Sequence, residues 1–411
     1  MLRKIFLILL FFCGILLGQK RTSPIFIEHN SVKGISQIEY ISYRIPFNQL
    51  LFVKNGNAYK ASFTFIFEIY KDKEFVKREI SKQVIFTNNY NDTKSNKVFF
   101  EDLIGIELEP NKYLLKPTLA IGGTELDVAL PELKIEVSNL DKQIIYPPIV
   151  INNNTSNKEK QINFQLTNLQ NHIPFSPKQH SILLGVKDTS INSIEVEITQ
   201  NEKSIYKENI SKYFLGSLQL SKDELITIKL LNEEESSSYF LVNDFSYLLE
   251  EGEFEIDVKA DTAEIKFTSE VFWLNKPKLL SKPEYSIKLL SYIEDTDIVR
   301  SLLKGTDEKY YQNLFNYWSD HFPSKVKYNY ALNEYYSRAD YAVENFKSLK
   351  SQKGAESDRG KIYITYGKPT STERTYNEKN EIIEVWSYSE ISRTFIFKDI
   401  TGTGKYILTT N

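Results

Sequence analysis

The sequence predicts a mainly β protein with a C-terminal α+β domain: two antiparallel β-sandwich modules, then helices packed on a small antiparallel sheet. Three observations lead there. Apolar and polar residues alternate with period two through most of the chain before Lys276-Pro277; a helical period takes over after it; and period two returns near the end. The 26 Tyr and 26 Phe fall mostly in the alternating runs, where rings suit a pleated, half-buried surface. A chain of 411 residues exceeds what one hydrophobic core serves, and three domains are expected.

Residues 1–18 read as a secretory signal. Arg3 and Lys4 supply the positive start, Ile5 to Leu17 the apolar run and Leu16-Leu17-Gly18 a small-residue cut site. The run stops at Gln19-Lys20-Arg21, short of the about 20 apolar residues that span a membrane, so no transmembrane helix is expected after signal removal. The single cysteine, Cys13, lies inside the signal, which leaves a mature chain without disulfides or thiol chemistry. Phe12 precedes it where a lipid anchor needs a small residue. Loss of Arg3 and Lys4 takes the net charge from −3 to −5, and with the charges interspersed there is no basic face for nucleic acid.

From Ser23 to about Leu140 the pattern is that of the first sandwich, assigned to 23–140. Phe63, Phe65, Phe67 and Ile69 alternate with polar residues, Asp72-Lys73 makes a turn, and a second run ends at Val84-Ile85-Phe86. Tyr113-Leu114-Leu115 leads to a turn at Gly122-Gly123 and back through Leu126 and Val128, and Leu133, Ile135 and Val137 give a last strand. Ile144 to Pro148, with its two prolines, reads as a linker. In the second module, 149–275, Ile194, Val196 and Ile198 precede a turn at Asn201-Glu202-Lys203; Phe254, Ile256 and Val258 match Ile265 and Phe267 across Asp261-Thr262. Asn152-Asn153-Asn154 and Glu233 to Ser238 read as solvated loops.

The third domain, 284–411, opens with helices. Thr306 is the predicted N-cap of one that places Tyr311, Leu314, Phe315, Trp318 and Phe322 on a single face and stops at Pro323. The next carries Leu332, Tyr336, Ala339, Val343 and Phe346 on one face, with Glu334 and Arg338 four apart on another. After Gly360, Ile362 and Ile364 against Tyr363 and Tyr366 predict a strand closed by Gly367-Lys368-Pro369. Strands Glu381 to Tyr388 and Arg393 to Lys398 follow, then a turn at Gly402-Thr403-Gly404 and a return through Tyr406, Ile407 and Leu408. Trp273, Trp318 and Trp386 all sit in apolar patterns that favour burial.

From about Ser286 to Asn411 the chain resembles the GWxTD domain family of exported bacterial proteins. The residues that carry the resemblance are Tyr317-Trp318 at a helix end, Asn333-Glu334-x-Tyr-x-Arg338, the Gly354 to Gly360 turn with Ser357, Asp358 and Arg359, the run to Tyr366, Gly367 and Pro369, and Trp386-x-Tyr388. Tyr43-Arg44-Ile45-Pro46-Phe47 with Leu51-Phe52-Val53 is similar to the β-domain found upstream in such proteins. Ala355 stands where the family has Trp, Ser357 where it has Thr, and Asp320-His321-Phe322-Pro323 where it tends to Asp-Pro. The resemblance implies architecture and export, to the periplasm, the outer membrane face or the medium, and names no reaction.

Chemistry concentrates at one place. Asp358 and Arg359, predicted as a buried charged pair at a glycine-flanked helix-to-strand turn, form with Glu334 and Arg338 a candidate polar cluster. Its structural role would be a clamp, Asp358 capping backbone donors while Arg359 forks onto a helix carboxylate such as Glu334; its functional role would be a hydrolase or ligand-processing site. His29, His172, His180 and His321 lack ligand spacing, so no metal is expected. Gly402-Thr403-Gly404-Lys405 is followed by Tyr406 where a phosphate loop has Ser or Thr, no Gly-x-Ser-x-Gly elbow occurs, and no cofactor is expected. The leading expectation is a non-enzymatic interaction or scaffold protein whose partners are envelope proteins or glycans. A carbohydrate-binding module with exposed rings on a sheet face is the third alternative.

Overall fold

Phe63, Phe65, Phe67 and Ile69 share one face of a single strand, and none is more than 3% exposed. The first of two compact units, residues 1–146, 155–171 and 216–237, is built on that face. The computed structural model describes residues 25–33, 37–158, 161–231, 236–349 and 351–410. The predicted signal with Cys13, and residues 233–235 of the predicted polar loop, lie outside the described residues.

The unit's first strands are β1 (Phe26–Lys33), β2 (Gln37–Pro46), β3 (Val53–Asn55), β4 (Ala58–Lys71), β5 (Glu74–Thr87), β6 (Phe99–Ile106), β7 (Asn111–Ile121), β8 (Asp127–Ala129) and β9 (Leu133–Val137). One sheet runs β1-β2-β6; the other runs β3-β4-β7-β8, with β5 beside β4 and β9 beside β7. Ile27, Ile41, Tyr43 and Ile45 meet Phe63, Phe65, Phe67 and Leu115 in one core, and Tyr43 stacks on Phe65 at 4.6 Å. That is sandwich packing. The β4–β5 hairpin turns at Asp72-Lys73, φ 48° and 73°, the left-handed pair that matches strand twist. The buried Tyr43 hydroxyl bonds Ser81 Oγ (2.8 Å) and donates to Asp102 (3.0 Å), to which Gln83 also donates (2.6 Å), so polar bonds tie β5 to β6 through the core.

The opposite face of β1-β2 is also largely buried, and there Glu28, Asn30 and Ser42 lie among the apolar Phe26, Val32 and Tyr40. Glu28, 3% exposed, accepts from Asn30 Nδ2 at 2.9 Å and from backbone N–H groups of residues 169–171. Burial outweighs these bonds and raises its carboxyl.

The chain continues as β10 (Ile149–Lys158), β11 (Gln161–Leu166), β12 (Ile173–Pro174), β13 (His180–Val186), β14 (Ser193–Gln200), β15 (Lys203–Ser211), β16 (Phe214–Lys222), β17 (Ile226–Leu231), β18 (Ser237–Val242), β19 (Gly252–Ala260) and β20 (Ala263–Phe272). In the first unit β17 pairs with β11 and β16. In the second, residues 147–154, 172–215 and 238–411, β13 pairs with β10 and β18, and β12-β20-β19-β14-β15 make a five-stranded sheet. Two predicted loops are strand instead. Asn152-Asn153-Asn154 belongs to β10, Asn152 opposite His180, and Ser237 and Ser238 are buried in β18, because ladder pairing satisfies backbone that composition alone assigns to solvent.

The second unit's C-terminal region holds α1 (Pro283–Leu289), α2 (Thr296–Leu302), α3 (Asp307–His321), α4 (Tyr330–Asn345) and α5 (Asp358–Tyr366), with the sheet β21-β22-β23-β24 formed by Ser371–Tyr376, Ile382–Tyr388, Arg393–Asp399 and Ile407–Thr410. Leu314, Trp318, Leu332, Tyr336, Ala339, Ile364, Trp386 and Phe397 share its core. The strand predicted after Gly360 is a helix. Ser357 caps it, and its buried residues Gly360 and Ile364, with the buried Gly367 beyond its end, fall at i, i+4 and i+7, a helical period that the short Ile-Tyr-Ile alternation hides. Gly367, at φ 81° and ψ −157°, a conformation that glycine adopts and other residues rarely do, ends it, its N–H bonded to Tyr363 O at 2.7 Å.

A candidate binding cleft at the Gly354–Gly360 turn

The turn between α4 and α5 is held by close backbone contact. A Cβ on Gly354 would stand 2.2 Å from Ala342 O, and one on Gly360 2.1 Å from Gly354 O, so only glycine fits either position. Ala355 between them is fully buried, and Tyr292 Oη donates to its carbonyl at 3.1 Å. Ser357 Oγ donates to Gly354 O (2.7 Å) and accepts from Gly360 N (3.0 Å), closing the turn and starting α5 with one hydroxyl.

Asp358 and Arg359 are half-buried, and each is bonded elsewhere than to the other. Asp358 Oδ2 accepts from Leu408 N at 3.0 Å, satisfying a β24 donor, and Oδ1 lies 3.6 Å from Lys361 Nζ. The Arg359 side chain, 13% exposed, reaches Glu384 Oε2 on β22 at 3.3 Å and lies over the Tyr406 ring at 3.8 Å. Glu384 Oε1 accepts from Trp386 Nε1 at 2.6 Å. Glu334, the expected partner of Arg359, is bonded to Arg338 Nε at 2.8 Å, and Arg338 Nη1 donates to Thr365 O at 3.3 Å beside Gly367. Of the four residues of the predicted cluster only Glu334 and Arg338 therefore pair with each other, while Asp358 and Arg359 go to separate partners on the sheet, because Arg359 projects to the sheet side of α5 and Arg338 toward its C-terminal end.

The remaining motif residues hold the same joint. Tyr366 Oη accepts from Arg393 Nη1 at 2.7 Å, Tyr388 Oη donates to Gly367 O at 2.8 Å, and Thr370, just after the half-buried Pro369, donates its N–H to Ser387 O at 2.8 Å. Tyr363 stacks on Tyr341 at 4.6 Å, and burial pushes its hydroxyl up to about 12.

A cleft of about 360 Å³ opens beside the turn, lined by Lys353, Glu356, Ser357, Asp358, Lys405 and Tyr406 among others. Of the predicted cluster only Asp358 reaches it. Sequence reasoning missed Lys353 and Lys405, which stand on irregular segments, and Glu356, which ends the single 3-10 turn Gly354–Glu356. It also missed Glu384, although a carboxylate two residues from Trp386 on one strand face implies a buried acid in need of a cation. The Ser357 proton and the Asp358 Oδ2 lone pair are already engaged by backbone, while the Lys405 ammonium meets no carboxylate among the described residues. Hydroxyls, two lysines, two acids and the Tyr406 ring at one opening suit the holding of a polar ligand.

The architecture and this joint define a β-rich protein whose last domain packs helices on an antiparallel sheet through a glycine-bound turn. Residues 255–409 match the model of the GWxTD domain, and this C-terminal region is a GWxTD domain. The match starts earlier than Ser286 and takes in most of β19 and all of β20. No curated protein matches the chain. Solved structures that align with it include Dpr2 Ig1-Ig2 in complex with DIP-Theta Ig1-Ig3, at 7% identity over 57% of this chain and 72% of that one, with a TM-score of 0.14, too loose a likeness to bear on fold or function.

Proposed function

We propose that the protein is an exported cell-envelope component that works by interaction, with the cleft beside the Gly354–Gly360 turn as a contact for an envelope protein or glycan. One observation carries the reading: the motif's reactive groups are spent on architecture, Ser357 on a cap, Asp358 on the Leu408 N–H and Arg359 on Glu384, which leaves the Lys353–Glu356 ion pair, 3.1 Å across, and Lys405 at the opening. The hydrolase reading needs Asp358, Arg359 and Glu334 to converge, and the last two are bonded away from the cleft.

The test is a photo-crosslinking side chain at position 405 in living cells, with exposed Lys266 of the same unit as control site. A defined adduct at 405 that is missing at 266 is expected. Equal labelling at both sites would count against the cleft, and turnover of ester or glycoside substrates that Asp358→Asn abolishes would replace the interaction reading with an enzymatic one.

A further inference from the structure

The fold leaves one side of β5 bare. The strand pairs with β4 from Lys71↔Glu74 to Tyr59↔Thr87, and among the described residues no strand takes its other side. Alternate backbone N–H and C=O groups of a 14-residue strand therefore face outward with no ladder to join. The strand is long and has no proline, so two usual devices that blunt an edge are missing. Its outer face carries Val76, Ile80, Val84 and Phe86, each between 45% and 57% exposed, with the exposed Arg78 and Lys82 between them.

Charge selects the occupant. A second copy pairing antiparallel about Ile80 would set Val76 against Val84, but also Arg78 against Lys82, like charges directly opposed. Arg78 is answered by Glu68 on β4, at 2.5 Å. Lys82 stands across from Thr64, and no carboxylate among the described residues reaches its ammonium. The complement of this face is an extended segment reading apolar, acidic, apolar, acidic, apolar at alternate residues.

We propose that the free edge of β5 is a strand-addition site for another polypeptide, an extended segment with apolar side chains opposite Val76, Ile80 and Val84 and a carboxylate opposite Lys82. Main-chain hydrogen bonds supply the affinity of such an addition and alternate side chains its specificity. The site lies in the first unit and is independent of the cleft, so the failure of either leaves the other standing.

The probe is a fluorescein-labelled nonapeptide, Val-Thr-Glu-Thr-Ile-Thr-Glu-Thr-Val, whose palindromic pattern permits either strand direction; in the control peptide Lys replaces both Glu. Titration of the full chain by fluorescence anisotropy should show the acidic peptide binding about tenfold more tightly than the basic one. Binding should slow amide exchange across residues 74–87. Lys82→Glu, an exposed change whose folding circular dichroism checks, should narrow or invert the preference, which a merely sticky surface would not do. Equal binding of the two peptides, a preference unmoved by Lys82→Glu, no binding up to about 1 mM, or protection outside β5 would each overturn the proposal. So would a dimer whose formation protects β5, since that would assign the edge to a second copy.

Discussion

Arg359→Met removes the cation that joins α5 to the sheet while keeping most of the stem that packs on Tyr406. Arg359 and Glu384 are 13% and 11% exposed in their side chains, and the variant leaves Glu384 a single donor, Trp386 Nε1. Deleting one partner of such a buried pair costs about 3 kcal/mol, and loss of the contact over the Tyr406 ring about 1 more. All three tryptophans lie in the second unit's C-terminal core, so their emission during urea unfolding reports that region alone. The midpoint should fall by about 1 M for an m-value near 3 kcal/mol/M. Adding Glu384→Gln removes the stranded charge and keeps an acceptor for Trp386, so the double variant should recover about half the loss. A single-variant cost below about 1 kcal/mol, or strictly additive effects, would refute the clamp.

Three further outcomes are expected. Ser357→Ala should lower the same tryptophan transition by about 1 kcal/mol through loss of the helix cap, while Ser357→Thr stays close to the parent. Burial holds the Glu28 carboxyl above its ordinary 4.5, so its stabilising contribution is full below that value and is lost as pH rises through the folded one; exchange of β1 amides in Glu28→Gln should therefore slow relative to the parent as pH goes from 4.5 to 8, and parallel profiles would contradict this. His180, buried and near Lys178, is lowered from 6.5 to about 4, so its contribution is present above 6.5 and lost as pH falls through 4. Its imidazole resonance should titrate near pH 4, and His180→Gln should flatten the acid limb of the stability curve.

Where side chains alternate between a core and water, the sequence was readable. Phe63 to Ile69, Ile194 to Ile198 and Phe254 to Val258 are strands, and Asp72-Lys73, Asn201-Glu202 and Asp261 stand in the turns between them and their partners, all with positive φ. The α4 stripe from Leu332 to Phe346 was equally legible, because four-residue spacing over 15 or so positions has one interpretation. The α5 segment was not: three alternating residues fit a strand or one helical turn, and the decision came from the Ser357 cap and the contact of Gly360 with Gly354 O, a distance absent from any local pattern. β21 escaped because all six of its residues are exposed. At the candidate site the motif residues could be named in advance, but their partners could not. Arg359 meets Glu384, 25 residues on, and only the folded sheet brings the two together.

The bonds from Tyr43, Ser81 and Gln83 to Asp102 bear on how β5 could receive a guest. Strands with one open margin tend to slide, and a one-residue slip would turn Val76, Ile80 and Val84 inward. Anchored from behind by hydroxyl, amide and carboxylate, β5 is barred from that movement, so any incoming segment meets the same side chains in the same frame, and its selectivity is decided before it arrives.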